Sequence, residues 1–253
     1  MASGLIATGA VWAGYQAADP SRIQRVTALD LGDGPAPPSG SAWRLETRPG
    51  DDVWGNERAE LCNGNTHDGM SPPNGLLFKQ GLQATFALQV LIPKSFPNPV
   101  PGGWQCAGAQ WHMTGGEGPP PCALGLDENG RLSMSGSLEA VDRPWAPGFK
   151  EFSWDAGPCP RGVWIKLVLS AYFAVEHGWL RGWADLGGGM KLLGEETSIP
   201  TLKTRGGVLQ PTFNEITTYR GPLGGYPDAQ HLYVDERYAV ASTRSVAEAY
   251  AFA

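Results

Sequence analysis

The chain has 253 residues, with 35 Gly, 22 Pro and 10 Trp, and its formal net charge at pH 7 is -6. That length is ordinary for one all-β sandwich, and the many Gly and Pro residues favour short strands joined by turns over long helices. The negative charge argues against nucleic-acid binding, which needs a basic face, and no apolar run is long enough for membrane insertion.

The N-terminal segment has an ambiguous pattern. Residues 5–13 are mildly apolar, and Ala17-Ala18 is similar to a signal-peptide cleavage site. No Lys or Arg precedes Arg22, so the basic start of a signal peptide is missing. We therefore identify no clear signal peptide and interpret this segment as part of the fold.

The first predicted strands alternate with a period of two. Residues 42–48 and 56–61 each have the pattern of a half-buried strand. In the second of them Asn56, Arg58 and Glu60 share one face, because successive side chains of a strand point to opposite faces.

The middle of the chain adds a largely buried strand at 83–92, ended by Pro93, and a strand at Gln110-Trp111-His112. The period of two places Gln110 and His112 on one face and Trp111 on the other. Further strands are predicted at 122–127, 131–135, 163–175, 179–185, 190–193, 212–220 and 231–241, with a short helix at 244–250. Roughly a dozen strands without the spacing of a parallel sheet predict one antiparallel jelly-roll β-sandwich, a single domain over residues 1–253.

The four cysteines are Cys62, Cys106, Cys122 and Cys159, and no two form a Cys-x-x-Cys pair. A zinc site is therefore not expected, and we predict neither a metal nor another cofactor. A disulfide between Cys106 and Cys122 and a set of free buried thiols are equally compatible with the sequence.

Several motifs together resemble the polysaccharide lyases of the concanavalin-like jelly-roll class, which include the glucuronan and heparin lyase-like group and, more distantly, the alginate lyases. The segments that carry the resemblance are Arg58-Ala59-Glu60-Leu61, Gln110-Trp111-His112, Pro119–Leu124, Trp164–Leu167, Trp183–Gly187 and Thr218-Tyr219-Arg220. One departure is clear. The family has Lys-x-Gly ahead of the late Tyr, where this chain has Glu215-Ile216-Thr217-Thr218.

The resemblance implies cleavage of an acidic polysaccharide by β-elimination. Arg58 and Gln110 would hold the uronate carboxylate, because fixed donors stabilise the charge that develops in the transition state. His112 would be the base. Tyr219 would protonate the leaving oxygen, or act as both base and acid where the geometry requires it.

Other polar residues are candidate substrate contacts: Glu60, Arg48, Arg220 and, in the loop after the Arg58 strand, His67. Four of the candidate residues also have a purely structural interpretation. In that interpretation Arg58 pairs with Glu60 or Glu57, His112 is a satisfied sheet histidine, Tyr219 is a rim aromatic, and His67 is a solvated loop residue.

Two other functions compete with the lyase interpretation. Glycoside hydrolysis needs two carboxylates flanking the bond, but the Glu-x-Asp-x-x-Glu strand of jelly-roll glucanases is absent from the sequence. A non-catalytic carbohydrate-binding or structural module, such as a phage virion or tail surface protein assembled into a larger particle, is favoured by the abundant Trp. The expected location is therefore extracellular or on a virion surface.

Overall fold

The computed structural model describes residues 5–8, 14–31, 34–63, 77–114, 118–141, 150–223, 225–236 and 239–241. The described strands are β1 Leu5–Thr8, β2 Gly14–Ala17, β3 Ile23–Thr27, β4 Ser41–Thr47, β5 Asp52–Val53, β6 Asn56–Cys62, β7 Gln83–Leu91, β8 Trp104–Met113, β9 Cys122–Leu126, β10 Arg131–Ser137, β11 Glu151–Pro158, β12 Trp164–Tyr172, β13 Gly178–Asp185, β14 Lys191–Ile199, β15 Lys203–Arg205, β16 Val208–Gln210, β17 Thr212–Gly221, β18 Gln230–Asp235 and β19 Ala239–Ala241. A 3-10 turn at Pro20–Arg22 separates β2 from β3. Within the described ranges no helix has the length and apolar character needed to cross a membrane.

The strands form two large antiparallel sheets. A nine-stranded sheet has the order β14-β13-β12-β7-β18-β4-β3, with β19 pairing to β7 and β1 to β19. An eight-stranded sheet has the order β11-β10-β9-β8-β17-β6-β2, with β5 pairing to β6. A small hairpin of β15 and β16 stands apart from both. The predicted all-β antiparallel sandwich is confirmed.

The hydrophobic core takes side chains from both sheets. Ala59, Trp111 and Ile216, from β6, β8 and β17, belong to the same buried cluster as Leu88 and Leu167 of the nine-stranded sheet. Because side chains alternate along each strand, the other side chains of β6, β8 and β17 point away from this core. That side of the eight-stranded sheet is called the outer face below.

The strand predictions hold for the segments that build the outer face, namely 56–61, 110–112 and 212–220, which lie in β6, β8 and β17. The single strand predicted at 231–241 is wrong. It is two strands, because β18 pairs with β4 whereas β19 pairs with β7 and β1. The predicted helix at 244–250 lies outside the described residues. All four cysteines are free and buried, so the thiol alternative holds.

Candidate active site

Strand β17 lies between β8 and β6 and sets the positions of the predicted site residues. Tyr219 is directly opposite Arg58 of β6, and on β8 Glu215 is opposite Gln110 and Phe213 is opposite His112. Side chains that face each other across an antiparallel pair lie on the same side of the sheet. Arg58, Gln110, His112 and Tyr219 therefore all lie on the outer face.

The same register spreads these side chains along the sheet. His112 pairs with Phe213, which precedes Tyr219 by six residues along β17. At about 3.3 Å per residue, the two positions are about 20 Å apart. The backbone positions of His112 and Tyr219, both half-buried, therefore lie toward opposite ends of the outer face, with Gln110 between them.

A closed polar network fills the centre of the outer face. The side-chain amide nitrogen of Gln110 donates to Glu60 Oε1 at 3.0 Å and also donates to Glu215. The Thr217 hydroxyl donates to Glu60 Oε1 at 2.6 Å. Gln110 thus uses both of its N–H groups on protein carboxylates. It holds the two glutamates in place and has no donor left for a uronate, contrary to the prediction.

The network continues toward β2. Gln16 Nε2 and Cys62 Sγ donate to Glu215 Oε1 at 3.2 Å and 3.1 Å. Arg58 Nη1 donates to Gln16 Oε1 at 3.1 Å and to Glu60 Oε2 at 3.3 Å. One cation therefore shares the network with two buried carboxyl groups.

Burial makes this carboxyl pair hold protons more tightly than ordinary glutamates. Loss of solvation, and then the charge of Glu215, raise the pKa of Glu60 to about 7. Loss of solvation also raises the pKa of Glu215, against hydrogen bonds from Cys62 and Gln110 that act in the opposite direction. The two buried carboxyl groups are thus coupled, and both keep their protons to a higher pH than an ordinary glutamate does.

This coupling predicts how stability depends on pH. The pKa of an ordinary solvated glutamate is 4.5, whereas that of Glu60 in the folded protein is about 7. Between these two values the folded state binds more protons than the unfolded state. The free energy of unfolding should therefore fall as pH rises from about 4.5 to about 7, with a contribution from Glu60 on the order of 3 kcal/mol. Denaturant unfolding of wild type and Glu60→Gln across this range measures it. The difference between the two proteins should change with pH, and parallel curves would contradict the assignment.

An aromatic group surrounds Arg58 at the Tyr219 end of the outer face. The guanidinium carbon of Arg58 lies 4.1 Å from the centroid of the Tyr219 ring and 5.4 Å from that of Trp54. Trp104, the first residue of β8, meets the Tyr219 ring edge-on, with 4.4 Å between centroids. Trp54 is 59% exposed and Trp104 41% exposed, so this end of the outer face is accessible, in contrast to the centre.

The charge states of Arg58 and Tyr219 follow from these surroundings. Burial by itself lowers the pKa of Arg58, but the negative charge of Glu60 and its neighbours outweighs burial and raises that pKa overall. Burial raises the pKa of Tyr219 to about 12, while the charge of Arg58 acts to lower it. At neutral pH the site therefore presents a fixed cation beside a protonated phenol.

Arg58 also keeps one donor without a partner. Its Nε is buried and makes no hydrogen bond among the described residues. A buried unsatisfied donor costs about 1–3 kcal/mol, which a bound acceptor can recover. A carboxylate is the strongest acceptor for such an N–H group.

Two of the predicted substrate contacts are corrected. Arg220 lies on the core side of β17 with no exposed surface, and its Nε donates to Glu57 Oε2 at 2.5 Å. Glu60 has no exposed surface and holds Arg58 and Gln110. Arg48, directly after β4, pairs with Glu46 and has a 53% exposed side chain, so its role as a substrate contact stays a prediction. His67 lies outside the described residues.

Glu215, Gln16, Trp54 and Trp104 were not identified as site residues from the sequence. A signal for Glu215 was present, because counting back from Tyr219 in steps of two reaches Thr217 and then Glu215. Trp54 and Trp104 carried no signal beyond the high Trp content. Among the described residues, no three His, Cys, Asp or Glu side chains are grouped so that they could hold a metal ion.

Comparison with known proteins places this arrangement in context. A family model described as "Polysaccharide lyase" matches residues 7–236. A search of curated protein sequences gives no match.

Solved structures share the fold at low sequence identity. A marine PL-14 alginate lyase from Aplysia kurodai matches with a TM-score of 0.54 and 12% identity over 88% of each chain. The family-7 alginate lyase A1-II' matches with a TM-score of 0.53 and 12% identity, over 91% of this chain and 94% of that chain. The catalytic domain of a glycoside hydrolase family 131 protein from Coprinopsis cinerea matches with a TM-score of 0.51 and 12% identity, over 95% and 85%. The predicted jelly-roll fold is confirmed.

Proposed function

The chain belongs to the polysaccharide lyase family, and from that premise we propose that it cleaves a uronate-containing polysaccharide by β-elimination. The observation that carries the proposal is the contact of Tyr219 with Arg58 at the accessible end of the outer face, where the guanidinium carbon lies 4.1 Å from the centroid of the phenol ring. The alginate lyases with the same fold support a polyuronate as the substrate class.

The reaction needs one cation and one route for a proton. A base removes the hydrogen from the sugar carbon next to the carboxylate, and the electron pair left behind forms a carbon–carbon double bond. The bond to the 4-linked oxygen breaks, and that oxygen takes up a proton. Arg58 binds the carboxylate through the part of its guanidinium that reaches the surface, since its side chain is 10% exposed, and offsets the negative charge that builds up during proton removal.

Tyr219 acts as both base and acid in this proposal. As the phenolate it takes the proton from carbon, and as the phenol it returns that proton to the leaving oxygen. The pKa of about 12 makes the phenolate a minor form at neutral pH, and the adjacent Arg58 charge favours it. Glu60 accepts a hydrogen bond from Arg58, and Gln110 links Glu60 to Glu215. In this proposal the three are therefore positioning residues.

His112 provides a direct test of this division of roles. Because it lies about 20 Å along the strand from Tyr219, His112→Ala should lower the turnover number by less than about tenfold, well below the value of a positioned acid or base. Steady-state kinetics on a cleavable polyuronate measures this. Phe213→Leu, which alters the ring that lies 5.9 Å from the His112 ring, is the matched control. A loss of 100-fold or more in His112→Ala alone would restore His112 as the base.

The activity itself is tested with a panel of acidic polysaccharides. Each β-elimination leaves an unsaturated uronate that absorbs in the ultraviolet, so incubation with glucuronan, alginate and heparin-like chains in a spectrophotometer reports cleavage. The proposal expects absorbance to grow with at least one of them. Absence of product from every member of the panel would overturn it.

A non-catalytic glycan-binding role is the second candidate, and one observation favours it. The segment that replaces the family's Lys-x-Gly contributes Glu215, whose carboxyl group occupies Gln110 at the centre of the outer face. A chain that binds one member of the panel without cleaving it would have this role. Such a module would act outside the cell or on a virion surface, as part of a larger particle.

A further inference from the structure

We propose that Trp54 and Trp104 form a sugar-stacking subsite that binds the pyranose rings next to the one held at Tyr219. The inference rests on the polysaccharide-binding part of the proposed function and extends it to the neighbouring sugar units. In this inference Trp54 and Trp104 supply the affinity for the polysaccharide, whereas Tyr219 and Arg58 carry out the β-elimination.

The first support is exposure. Trp54 and Trp104 are 59% and 41% exposed, although an indole is among the largest apolar groups that a protein can bury. Grouped exposed apolar side chains mark binding surfaces. A pyranose ring offers flat faces of C–H groups that pack on an aromatic ring, while its hydroxyl groups remain free for hydrogen bonds. The two indoles match that chemistry.

The second support is position. Trp54 precedes β6 and Trp104 begins β8, so the two indoles flank β17 from opposite sides. Trp54 contacts Arg58, and Trp104 contacts the Tyr219 ring. The indoles thus continue the accessible end of the outer face on both sides of Tyr219. A linear chain with one sugar at Tyr219 therefore places its adjoining sugars over them.

The third support is backbone strain at Trp54. Trp54 and Gly55 form the two-residue connection between β5 and β6, where Val53 pairs with Asn56. Their φ angles are 52° and 82°, as in a type I′ turn, which strongly favours Asn-Gly. A bulky side chain with positive φ is uncommon, and such strain clusters at ligand-binding and active sites. Trp at this position therefore serves a purpose other than making the turn.

Binding is measured in the Tyr219→Phe background, so that the ligand is not cleaved while the ring at position 219 stays in place. Titration calorimetry uses alginate and glucuronan oligosaccharides as probes. Trp104→Ala and Trp54→Asn should each weaken binding of the better probe by about tenfold, the value of one aromatic contact. Trp179→Ala is the matched control, because it removes a half-buried indole that stacks on Arg181 of the other sheet, 4.9 Å from its ring centroid. It should leave binding unchanged.

Trp54→Asn separates a binding role from a structural one. Asn-Gly is the favoured pair for this turn, so the melting temperature should be equal to or above that of the parent while affinity falls. A lower melting temperature with unchanged affinity would overturn the inference. If wild type cleaves a member of the polysaccharide panel but neither Trp variant changes binding, the subsite inference is overturned and the proposed function stands. If the Trp variants bind more weakly while wild type cleaves no member of the panel, the subsite is supported and the lyase proposal is overturned.

Discussion

Tyr219→Phe is expected to lower the turnover of a cleavable polyuronate by at least about 100-fold, the value of a positioned acid–base group. The substitution removes one oxygen atom and keeps the ring that contacts Arg58 and Trp104. Substrate affinity should therefore change little, because the cation and the aromatic surface remain. Initial rates and direct binding, measured on the same polysaccharide, separate the two effects.

The matched control for this loss is Tyr233→Phe. Tyr233 is a half-buried tyrosine of β18 in the other sheet, so the same oxygen is removed away from the outer face. The turnover of Tyr233→Phe should equal that of wild type. If Tyr219→Phe retained more than a tenth of the wild-type turnover, another group would have to move the proton, and the role assigned to Tyr219 would be wrong.

Arg220→Met should destabilise the protein by about 3–5 kcal/mol, because it leaves the partner of a buried ion pair uncompensated. Neither Arg220 nor Glu57 has any exposed surface, and the Arg220 guanidinium also donates to the carbonyl oxygen of Asp228 at 2.8 Å. The substituted chain should unfold at a lower denaturant concentration. Chemical denaturation followed by fluorescence gives the free energy of unfolding.

Two further variants test whether burial of the ion pair is what makes Arg220→Met destabilising. Arg25→Met breaks a pair with Glu236 in which the arginine side chain is 58% exposed, and it should change the free energy of unfolding far less than Arg220→Met does. Combining Arg220→Met with Glu57→Gln should recover part of the loss, since no buried charge is left alone. If Arg220→Met instead weakened polysaccharide binding at unchanged stability, Arg220 would be a ligand contact after all.

Local patterns in the sequence were sufficient to predict the class of fold and the strands that carry the site. A period of two is a property of each strand alone, so it correctly assigned Arg58, Gln110, His112 and Tyr219 to one side of their strands. The pairing register is a property of two strands, and no period within one strand encodes it. The separation of His112 from Tyr219 therefore became visible only in the structure.

The error at Arg220 has a different cause. Adjacent residues in a strand point to opposite faces, so Tyr219 and Arg220 were never able to share the outer face. A charged side chain was nevertheless expected at the surface, because a buried arginine requires a partner. That partner, Glu57, lies 163 residues away in the chain, which places the pair beyond any local pattern.

The burial of Glu60 and Glu215 could not be predicted from the sequence either. Alternation places both on the outer face, where charged side chains usually meet water. Their burial depends on contacts from elsewhere in the chain, and the raised pKa values of the pair follow from that burial. The site's electrostatics are thus a property of the assembled fold.

The four buried thiols give this fold a set of internal reporters. Cys62, Cys106 and Cys122 belong to β6, β8 and β9, and Cys159 directly follows β11, so all four lie in or beside the sheet that carries the candidate active site. Cys62 and Cys122 have no exposed surface, so a thiol-specific reagent reaches them only when the surrounding strands separate, and Cys106 and Cys159, at 5% and 8% exposed, become far more accessible in the same event. The rate at which each cysteine is labelled therefore measures how often its strand opens in the native protein, without any engineered probe.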